Sequence, residues 1–216
     1  MDLYIYERRL IDAGFSPIAG ADEAGRGACA GPLVAAAVIL NPNDPIDGLN
    51  DSKKLTAKRR CDLAQQIQQK ALAWAVSRIE ADECDHLGMQ EADLQGLRRA
   101  IVQLDPLPAY ALTDGFFVPG LPMPSLALWK GDQVAASISA ASILAKVIRD
   151  QIMDDYDNLY TGYGFSGHKG YCTKVHQQAL ETYGPCEIHR RSYSNVQQAS
   201  RRHERSTVSQ PLLALE

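Results

Sequence analysis

An apolar segment that ends in two adjacent acids and a glycine-rich loop is the feature that most restricts how this chain can fold. Residues 16–22 form that segment, Asp22 and Glu23 end it, and a Gly-Arg-Gly tripeptide follows at residues 25–27. A second apolar segment covers residues 33–40. Two short apolar segments joined by a glycine-rich connection indicate paired strands. The beginning of the chain therefore predicts a sheet with two carboxylates and a flexible loop at the end of its first strand.

Apolar and amphipathic segments alternate through the rest of the first 160 residues. Strands are predicted at residues 72–79, 110–113 and 126–129, and helices at 1–12, 57–70, 88–104 and 135–156. Alternation of this kind is typical of an α/β core. A glycine-rich loop, a helix at 173–183 and a basic end follow. We predict a core over residues 1–160, a C-terminal helical extension over 161–205 and a flexible tail over 206–216.

Composition places the chain among ordinary globular proteins, because 45% of its residues are hydrophobic and 22% are charged. The five cysteines form no Cys-X-X-Cys pair, so we expect buried thiols in a reducing compartment. The longest apolar stretch has 13 residues, from 28 to 40, whereas a membrane span needs roughly 20. The N-terminus lacks the apolar region of a signal peptide. We therefore expect a cytoplasmic protein with no membrane segment.

Acidic residues stand at the ends of three predicted strands. Asp22 and Glu23 end the first strand, Asp114 follows the fourth and Asp132 follows the fifth. Clustered carboxylates suit a hard cation such as Mg²⁺ or Mn²⁺, and two such ions can catalyse phosphodiester hydrolysis. Each acid taken alone also fits a solvated strand end, and Asp22 and Glu23 would point to opposite faces of a regular strand. A break in the strand at Gly25 can bring both to one site.

The tripeptide Gly25-Arg26-Gly27 has two interpretations. Glycine lets a backbone approach a ligand closely, and arginine can bind a phosphate through two hydrogen bonds. The same residues also suit a tight turn with an exposed arginine, and the tripeptide alone does not decide between them.

A series of segments in a fixed order resembles the ribonuclease HII family. The first is Ile-Ala-Gly-Ala-Asp-Glu-Ala-Gly-Arg-Gly at residues 18–27, with Ala-Gly-Pro at 30–32. The others lie at residues 51–55, 113–115, 130–132, 139–146, 162–165 and 168–171, with a final pair at 184–185 and 189–192. The chain departs from the usual family residues at Ala28, Cys29, Cys172 and Tyr193, none of which removes an acid.

The resemblance implies a ribonuclease H-like mixed sheet flanked by helices, and an endonuclease that cuts the RNA strand of RNA–DNA hybrids. It also implies incision 5′ to single ribonucleotides in duplex DNA, which leaves a 3′-hydroxyl and a 5′-phosphate. The catalytic and metal-binding acids would be Asp22, Glu23, Asp114 and Asp132, with Mg²⁺ or Mn²⁺ bound. No covalent intermediate and no redox cofactor are expected.

The resemblance also implies the substrate-binding residues. Gly25, Arg26 and Gly27 would read the 2′-hydroxyl, largely through backbone groups, since this group distinguishes RNA from DNA. Tyr171 would stack on the sugar of the following deoxynucleotide, and Lys53 and Lys54 would contact phosphates.

Charge is unevenly distributed along the chain. Its 22 basic and 26 acidic residues give a net charge of −4, but residues 168–205 contain seven Lys or Arg and three Asp or Glu, a local excess of +4. This basic region suits the backbone of a nucleic-acid duplex, although its terminal arginines equally suit a solvated helical face. His168, His176 and His189 are expected to be structural, and Trp74, Trp129 and Phe165 are expected to lie in the core.

Other interpretations remain open at this stage. A hybrid-binding module without catalysis, a small-molecule phosphohydrolase and a type-three ribonuclease H that prefers longer RNA tracts could each use some of these residues. The segment from Gln210 to Leu215 resembles the short peptide by which bacterial replication proteins bind the sliding clamp, and it also fits a frayed apolar tail. We expect the protein to act as a monomer on RNA–DNA hybrids and ribonucleotide-containing DNA.

Overall fold

A mixed five-stranded sheet forms the centre of the computed structural model, which describes residues 2–208. The strands are β1 (Ile18–Ala24), β2 (Leu33–Ile39), β3 (Ala73–Ile79), β4 (Tyr110–Asp114) and β5 (Ser125–Leu128), in the spatial order β3-β2-β1-β4-β5. β1 pairs antiparallel with β2 and parallel with β4. The predicted pairing of the first two strands and the mixed sheet are both confirmed.

Helices cover both faces of the sheet and build the C-terminal extension. They are α1 (Ile5–Asp12), α2 (Ala57–Lys70), α3 (Ala81–Leu87), α4 (Met89–Val102), α5 (Ala136–Leu159), α6 (Phe165–His168), α7 (Lys174–Tyr183) and α8 (Ser194–Val208). A short 3₁₀ helix, Gly131–Gln133, lies between β5 and α5. The predicted helix at 57–70 is confirmed, and the Thr56 side chain caps it by accepting a hydrogen bond of 3.2 Å from the backbone N–H of Arg59.

Small residues on β1 and β2 bring helices close to both faces of the central strands. Ala35 and Ala37 face α4, whereas Val34, Ala36 and Val38 face α2 and α5. Gly20 permits the closest approach, because a Cβ atom at that position would overlap the backbone of Ser137 in α5. The first turn of α5 is therefore fixed against β1, close to the end of the strand that carries the acids.

The C-terminal extension packs onto the core around aromatic and histidine side chains. Phe165 is fully buried, as predicted, and His176 and His189 lie beside it with their Nε2 atoms 3.0 Å apart. Burial lowers the pKa of His176 to about 4 and that of His189 to about 3, so both are neutral near pH 7. His168 stacks on His176. These contacts agree with the structural role predicted for the three histidines.

Two tryptophans and two cysteines contradict the expected burial. Trp74 lies on β3 and Trp129 directly follows β5, and their exposed fractions are 41% and 81%. Both strands are the edges of the sheet, where no neighbouring strand and little helix surface cover a side chain. Cys61 on α2 and Cys172 are also exposed, whereas Cys29 and Cys84 are buried.

The last helix continues beyond residue 205, where the tail is predicted to begin, as far as Val208. The predicted clamp-binding segment from Gln210 to Leu215 lies outside the described residues. Among the helices of residues 2–208, none is long and apolar enough to cross a membrane.

Candidate active site

The carboxyl ends of β1 and β4 open into a cavity of about 520 Å³. Three of the predicted acids line it, namely Asp22, Glu23 and Asp114. The predicted substrate-binding residues that line it are Gly25, Arg26, Gly27, Lys53 and Tyr171. Because parallel neighbouring strands end at the same side of a sheet, the pairing of β1 with β4 brings these acids together.

Asp22 and Glu23 reach this cavity from opposite faces of the sheet. Asp22 pairs in register with Ala36, whose side chain faces α5, and Glu23 pairs with Ala35, whose side chain faces α4. The strand continues to Ala24, so no break before Gly25 is needed to bring them to one site. The cavity instead extends over the end of the sheet and receives one carboxylate from each face. The Glu23 backbone N–H also donates to Asp22 Oδ1 over 2.8 Å.

Asp132 lies next to Asp114 rather than in the cavity wall. It belongs to the 3₁₀ helix after β5, where the neighbouring Gly131 backbone N–H donates to Asp114 Oδ1 over 2.5 Å. Asp51, a buried acid that the sequence analysis did not single out as a ligand, approaches the same group. Its Oδ1 accepts from the Lys53 backbone N–H over 2.9 Å.

Burial and mutual repulsion raise the pKa values of these acids. The pKa of Asp22 lies well above its ordinary value because the side chain is desolvated, and Glu23 and Asp114 raise it further. Desolvation, with the charges of Asp93 and Asp114, raises the pKa of Glu23 to about 7. Burial also raises the pKa of Asp114 and of Asp132. A cluster of this kind is stabilised in its charged form when a cation binds to it.

The donor set fits a hard divalent cation. Every side chain in the cluster offers carboxylate oxygen, which Mg²⁺ and Mn²⁺ prefer, and none of the described residues that line the cavity is a cysteine or a histidine. Among the described residues, no group of three or more acidic, histidine or cysteine side chains is arranged as a metal site. The carboxylates of Asp22, Glu23, Asp114 and Asp132 thus offer the oxygen atoms that suit Mg²⁺ or Mn²⁺ without forming an assembled coordination shell.

Two buried arginines hold the loop after β1 in place. Arg149 of α5 and Arg190 are both fully buried. Arg149 donates to the carbonyl oxygens of Pro32, Ala30 and Lys169 over 2.9, 3.2 and 3.0 Å. Both guanidinium groups therefore join the loop to the helical extension through backbone carbonyls.

Arg190 holds the glycine loop itself. Its Nη1 donates to the Arg26 carbonyl over 3.0 Å, and its Nε and Nη2 donate to the Gly31 carbonyl over 3.1 and 3.0 Å. The Tyr193 hydroxyl donates to the same Arg26 carbonyl over 2.8 Å. Among the described residues, the backbone N–H groups of Arg26 and Gly27 donate to no acceptor, whereas those of Ala28 to Gly31 are bound within the protein.

Gly25 and Tyr171 complete the wall around Arg149. Gly25 has a φ of +92°, a conformation that favours glycine, and a Cβ atom there would overlap the Arg149 side chain. The Tyr171 ring lies 5.5 Å from the Arg149 guanidinium carbon and 5.9 Å from Lys146 Nζ. Its side chain is 38% exposed and lines the cavity beside Gly27, where a Cβ atom would lie 4.0 Å from the ring.

The two predicted phosphate-binding lysines differ in position. Lys53 lines the cavity, whereas Lys54 points away and lies 3.8 Å from Asp51 and 3.5 Å from Gln133. Lys146 also lines the cavity, and its Nζ pairs with Asp150 over 2.6 Å.

Comparisons with known proteins identify the family of the chain. The family model described as Ribonuclease HII matches residues 19–196. Ribonuclease HII of Cutibacterium acnes is 57% identical over 200 residues, which cover 92% of this chain and 98% of that protein. Ribonuclease HII of a Nocardioides species is 54% identical over 200 residues, which cover 92% of this chain and 83% of that protein.

Solved structures show the same fold. The chain is similar to the ribonuclease H2 of Pyrococcus horikoshii, with a TM-score of 0.75, 27% identity and coverage of 87% of this chain and 98% of that one. It is also similar to a structure of the PCNA:RNase HII complex of Archaeoglobus fulgidus, with a TM-score of 0.71, 26% identity and coverage of 84% and 97%. The chain thus belongs to the ribonuclease HII family and is a nuclease of the hydrolase class.

Proposed function

We propose that this protein is an endoribonuclease that hydrolyses the RNA strand of RNA–DNA hybrids and incises duplex DNA 5′ to single embedded ribonucleotides. The products would be a 3′-hydroxyl and a 5′-phosphate. The observation that carries the proposal is one cavity lined by the carboxylates of Asp22, Glu23 and Asp114, by the Gly25-Arg26-Gly27 loop and by Tyr171. This arrangement supports a proposed hydrolytic site beside a proposed ribose-binding site.

The acids would supply the cation-binding part of the mechanism. Asp22, Glu23, Asp114 and Asp132 would hold Mg²⁺ or Mn²⁺, which when bound in a pair activates water and stabilises the departing 3′-oxygen. Their raised pKa values imply that protons compete with the cation, so the deprotonated cluster is the form that binds it.

The loop would supply the recognition of RNA. Within the described part of the chain, the backbone N–H groups of Arg26 and Gly27 donate to no acceptor, whereas the Arg26 carbonyl is bound by Arg190 and Tyr193. Free donors on a rigid backbone suit the oxygen of a 2′-hydroxyl, which DNA lacks. A sugar bound there would lie beside Tyr171, which adjoins Gly27 in the cavity wall.

Positive side chains would hold the phosphates on either side of the cut. Lys53 and Lys146 line the cavity and are the candidates for direct contact. The basic residues of the extension would act along the duplex backbone, where such contacts give affinity without sequence preference.

A sliding clamp is the proposed protein partner. The related Archaeoglobus protein was solved in a complex with PCNA, and the segment from Gln210 to Leu215 resembles a clamp-binding peptide. Deletion of residues 209–216 should abolish capture by the bacterial clamp and leave cleavage of free duplex unchanged. Equal capture of the full and shortened chains would show that this segment is not the clamp-binding site.

The proposal is tested with a duplex that carries one ribonucleotide in an otherwise DNA strand. Cleavage is measured with Mg²⁺, with Mn²⁺ and with chelator, beside an all-RNA hybrid. Asp22→Asn removes a cavity carboxylate, and Asp62→Asn, which changes an exposed acid on α2, is the matched control. We expect a metal-dependent nick 5′ to the ribonucleotide that Asp22→Asn loses and Asp62→Asn keeps.

Three other outcomes would change the proposal. Cleavage of the long hybrid alone would support the proposed catalytic role of the acid cluster but would refute the proposed activity on single ribonucleotides. Tight binding of both duplexes without cleavage would indicate a binding module. Cleavage that survives in Asp22→Asn would show that the carboxylate cluster is not the catalytic site.

A further inference from the structure

A buried acid on α4 lies behind the loop, on the side of the sheet opposite Asp22. Asp93 has a side chain that is only 2% exposed, and its Oδ2 lies 3.3 Å from Nε of Arg26. Its Oδ1 is buried without a hydrogen-bond partner in the described part of the chain. Asp93 thus has one charged partner, and that partner belongs to the Gly-Arg-Gly loop.

Two side chains contact the Arg26 guanidinium, one at its Nε edge and one on its flat face. Asp93 takes the Nε edge, and the ring of Phe116 lies 4.4 Å from the guanidinium carbon. Neither Nη group donates a hydrogen bond within the described residues, and the Arg26 side chain is 40% exposed in the cavity wall. Arg26 therefore lines the cavity with two Nη groups that donate to no other described residue.

Burial of the Asp93 carboxylate costs solvation free energy, which a residue with a purely structural role would not need to lose. It shares one face of α4 with the apolar residues Leu97 and Ala100, all of them buried. A buried carboxylate with one partner loses solvation that the pair does not fully recover, and a well-packed apolar residue is often as stable or more so. The acid therefore has a use other than stabilising the helix.

We propose that Asp93 is a positioning residue that aims Arg26 at a backbone phosphate of the ribonucleotide-containing strand. A guanidinium with both Nη groups free matches two phosphate oxygens at once. Asp93 fixes the rotation of the Arg26 side chain, and Phe116 fixes its plane, so that this pair of donors is oriented before the substrate arrives. The inference rests on the proposed function, since it assigns a substrate contact to the same cavity.

The positioning role makes a specific kinetic prediction. Asp93→Asn keeps the size of the side chain and removes the charge that holds Arg26. Because a phosphate beside the scissile bond is bound before and during the reaction, KM should rise about tenfold, with kcat within about twofold of wild type. Arg26→Gln should raise KM by at least as much.

A double-mutant cycle separates positioning from a direct role of Asp93. If Asp93 acts through Arg26, the variant that carries both changes should bind no more weakly than Arg26→Gln alone. The affinity of wild type should also depend more steeply on salt than that of either variant, by about one phosphate contact. Asp82→Asn, an exposed acid on α3, is the control for loss of one negative charge.

Binding is measured by fluorescence anisotropy with each variant placed in the Asp22→Asn background, and cleavage kinetics are measured in the native background. Thermal unfolding of each variant shows which of them are folded. The anisotropy measurement does not depend on cleavage, so it tests the positioning role even if the protein does not catalyse the proposed reaction. Additive losses in the double variant, an unchanged salt dependence in Asp93→Asn, or a loss confined to kcat would each overturn the positioning role.

Discussion

Glu23→Gln should stabilise the metal-free protein at alkaline pH, although it removes a proposed catalytic acid. The pKa of Glu23 is raised from 4.5 to about 7 in the folded chain, mainly by burial. Between these two values the folded state keeps a proton that the unfolded state releases, so the carboxylate lowers stability increasingly as pH rises. The penalty is absent below about pH 4.5 and complete above about pH 7.

The size of the effect follows from the shift. A difference of about 2.5 pKa units, from 4.5 to about 7, corresponds to about 3 kcal/mol. Glu23→Gln removes both the desolvation and the repulsion of this charge, but the amide that replaces it is also buried and polar, so we expect a gain of about 1–3 kcal/mol at pH 8. For a chain of 216 residues this gain raises Tm by roughly 3–9 °C.

The assay is thermal unfolding followed by circular dichroism, in chelator, at pH 8 and at pH 4.5. Asp62→Asn on the exposed side of α2 is the control for a change in net charge. Adding Mg²⁺ at pH 8 should stabilise wild type more than Glu23→Gln, because only wild type retains the full cluster. A variant that is no more stable than wild type at pH 8, or equally more stable at both pH values, would refute the assignment of this carboxylate to a buried, repulsive cluster.

Three further substitutions test other parts of the structure. Gly20→Ala forces a methyl group into the backbone of Ser137, so urea unfolding should show a loss of at least about 2 kcal/mol. Arg190→Met leaves the Gly31 carbonyl unpaired and should cost about 2–4 kcal/mol in the same measurement, with a smaller loss refuting the role of this guanidinium. Tyr171→Ala should lower kcat/KM on the single-ribonucleotide duplex about tenfold or more, while Tyr171→Phe keeps the ring and most of the activity.

The sequence predicted the central elements of the fold because their signals are local. The helix at 57–70 has a Thr cap and an amphipathic pattern, and β4 and β5 are apolar segments that end near an acid. The helix Ala81–Leu87 was not predicted, since it is short, rich in acids and buries only Ala81 and Cys84. The error at Trp129 has a different cause, because an apolar side chain does not reveal that its strand lies at the edge of a sheet.

Prediction of the site was limited to residues that lie in recognisable segments. The acids at strand ends could be found from position alone, and the structure places Asp22, Glu23 and Asp114 in one cavity. Asp93 carries a weaker signal, which is that it falls in phase with the apolar residues of its helix. No local sequence signal marks Arg149, because its role depends on carbonyl oxygens that lie 117 and 119 residues away along the chain.

The buried guanidinium groups of Arg149 and Arg190 have an electrostatic consequence for a chain with a net charge of −4. Neither forms an ion pair with a carboxylate in the described part of the chain. Arg149 donates to carbonyl oxygens, and Arg190 donates to carbonyl oxygens, the Met89 sulfur and the Tyr193 hydroxyl. Two whole positive charges are therefore fixed beneath the glycine loop in a medium of low polarisability, where their field is only weakly screened by salt. These two charges would add to the attraction of a polyanion by the exposed basic residues, and their contribution would fall less with ionic strength than that of the exposed side chains.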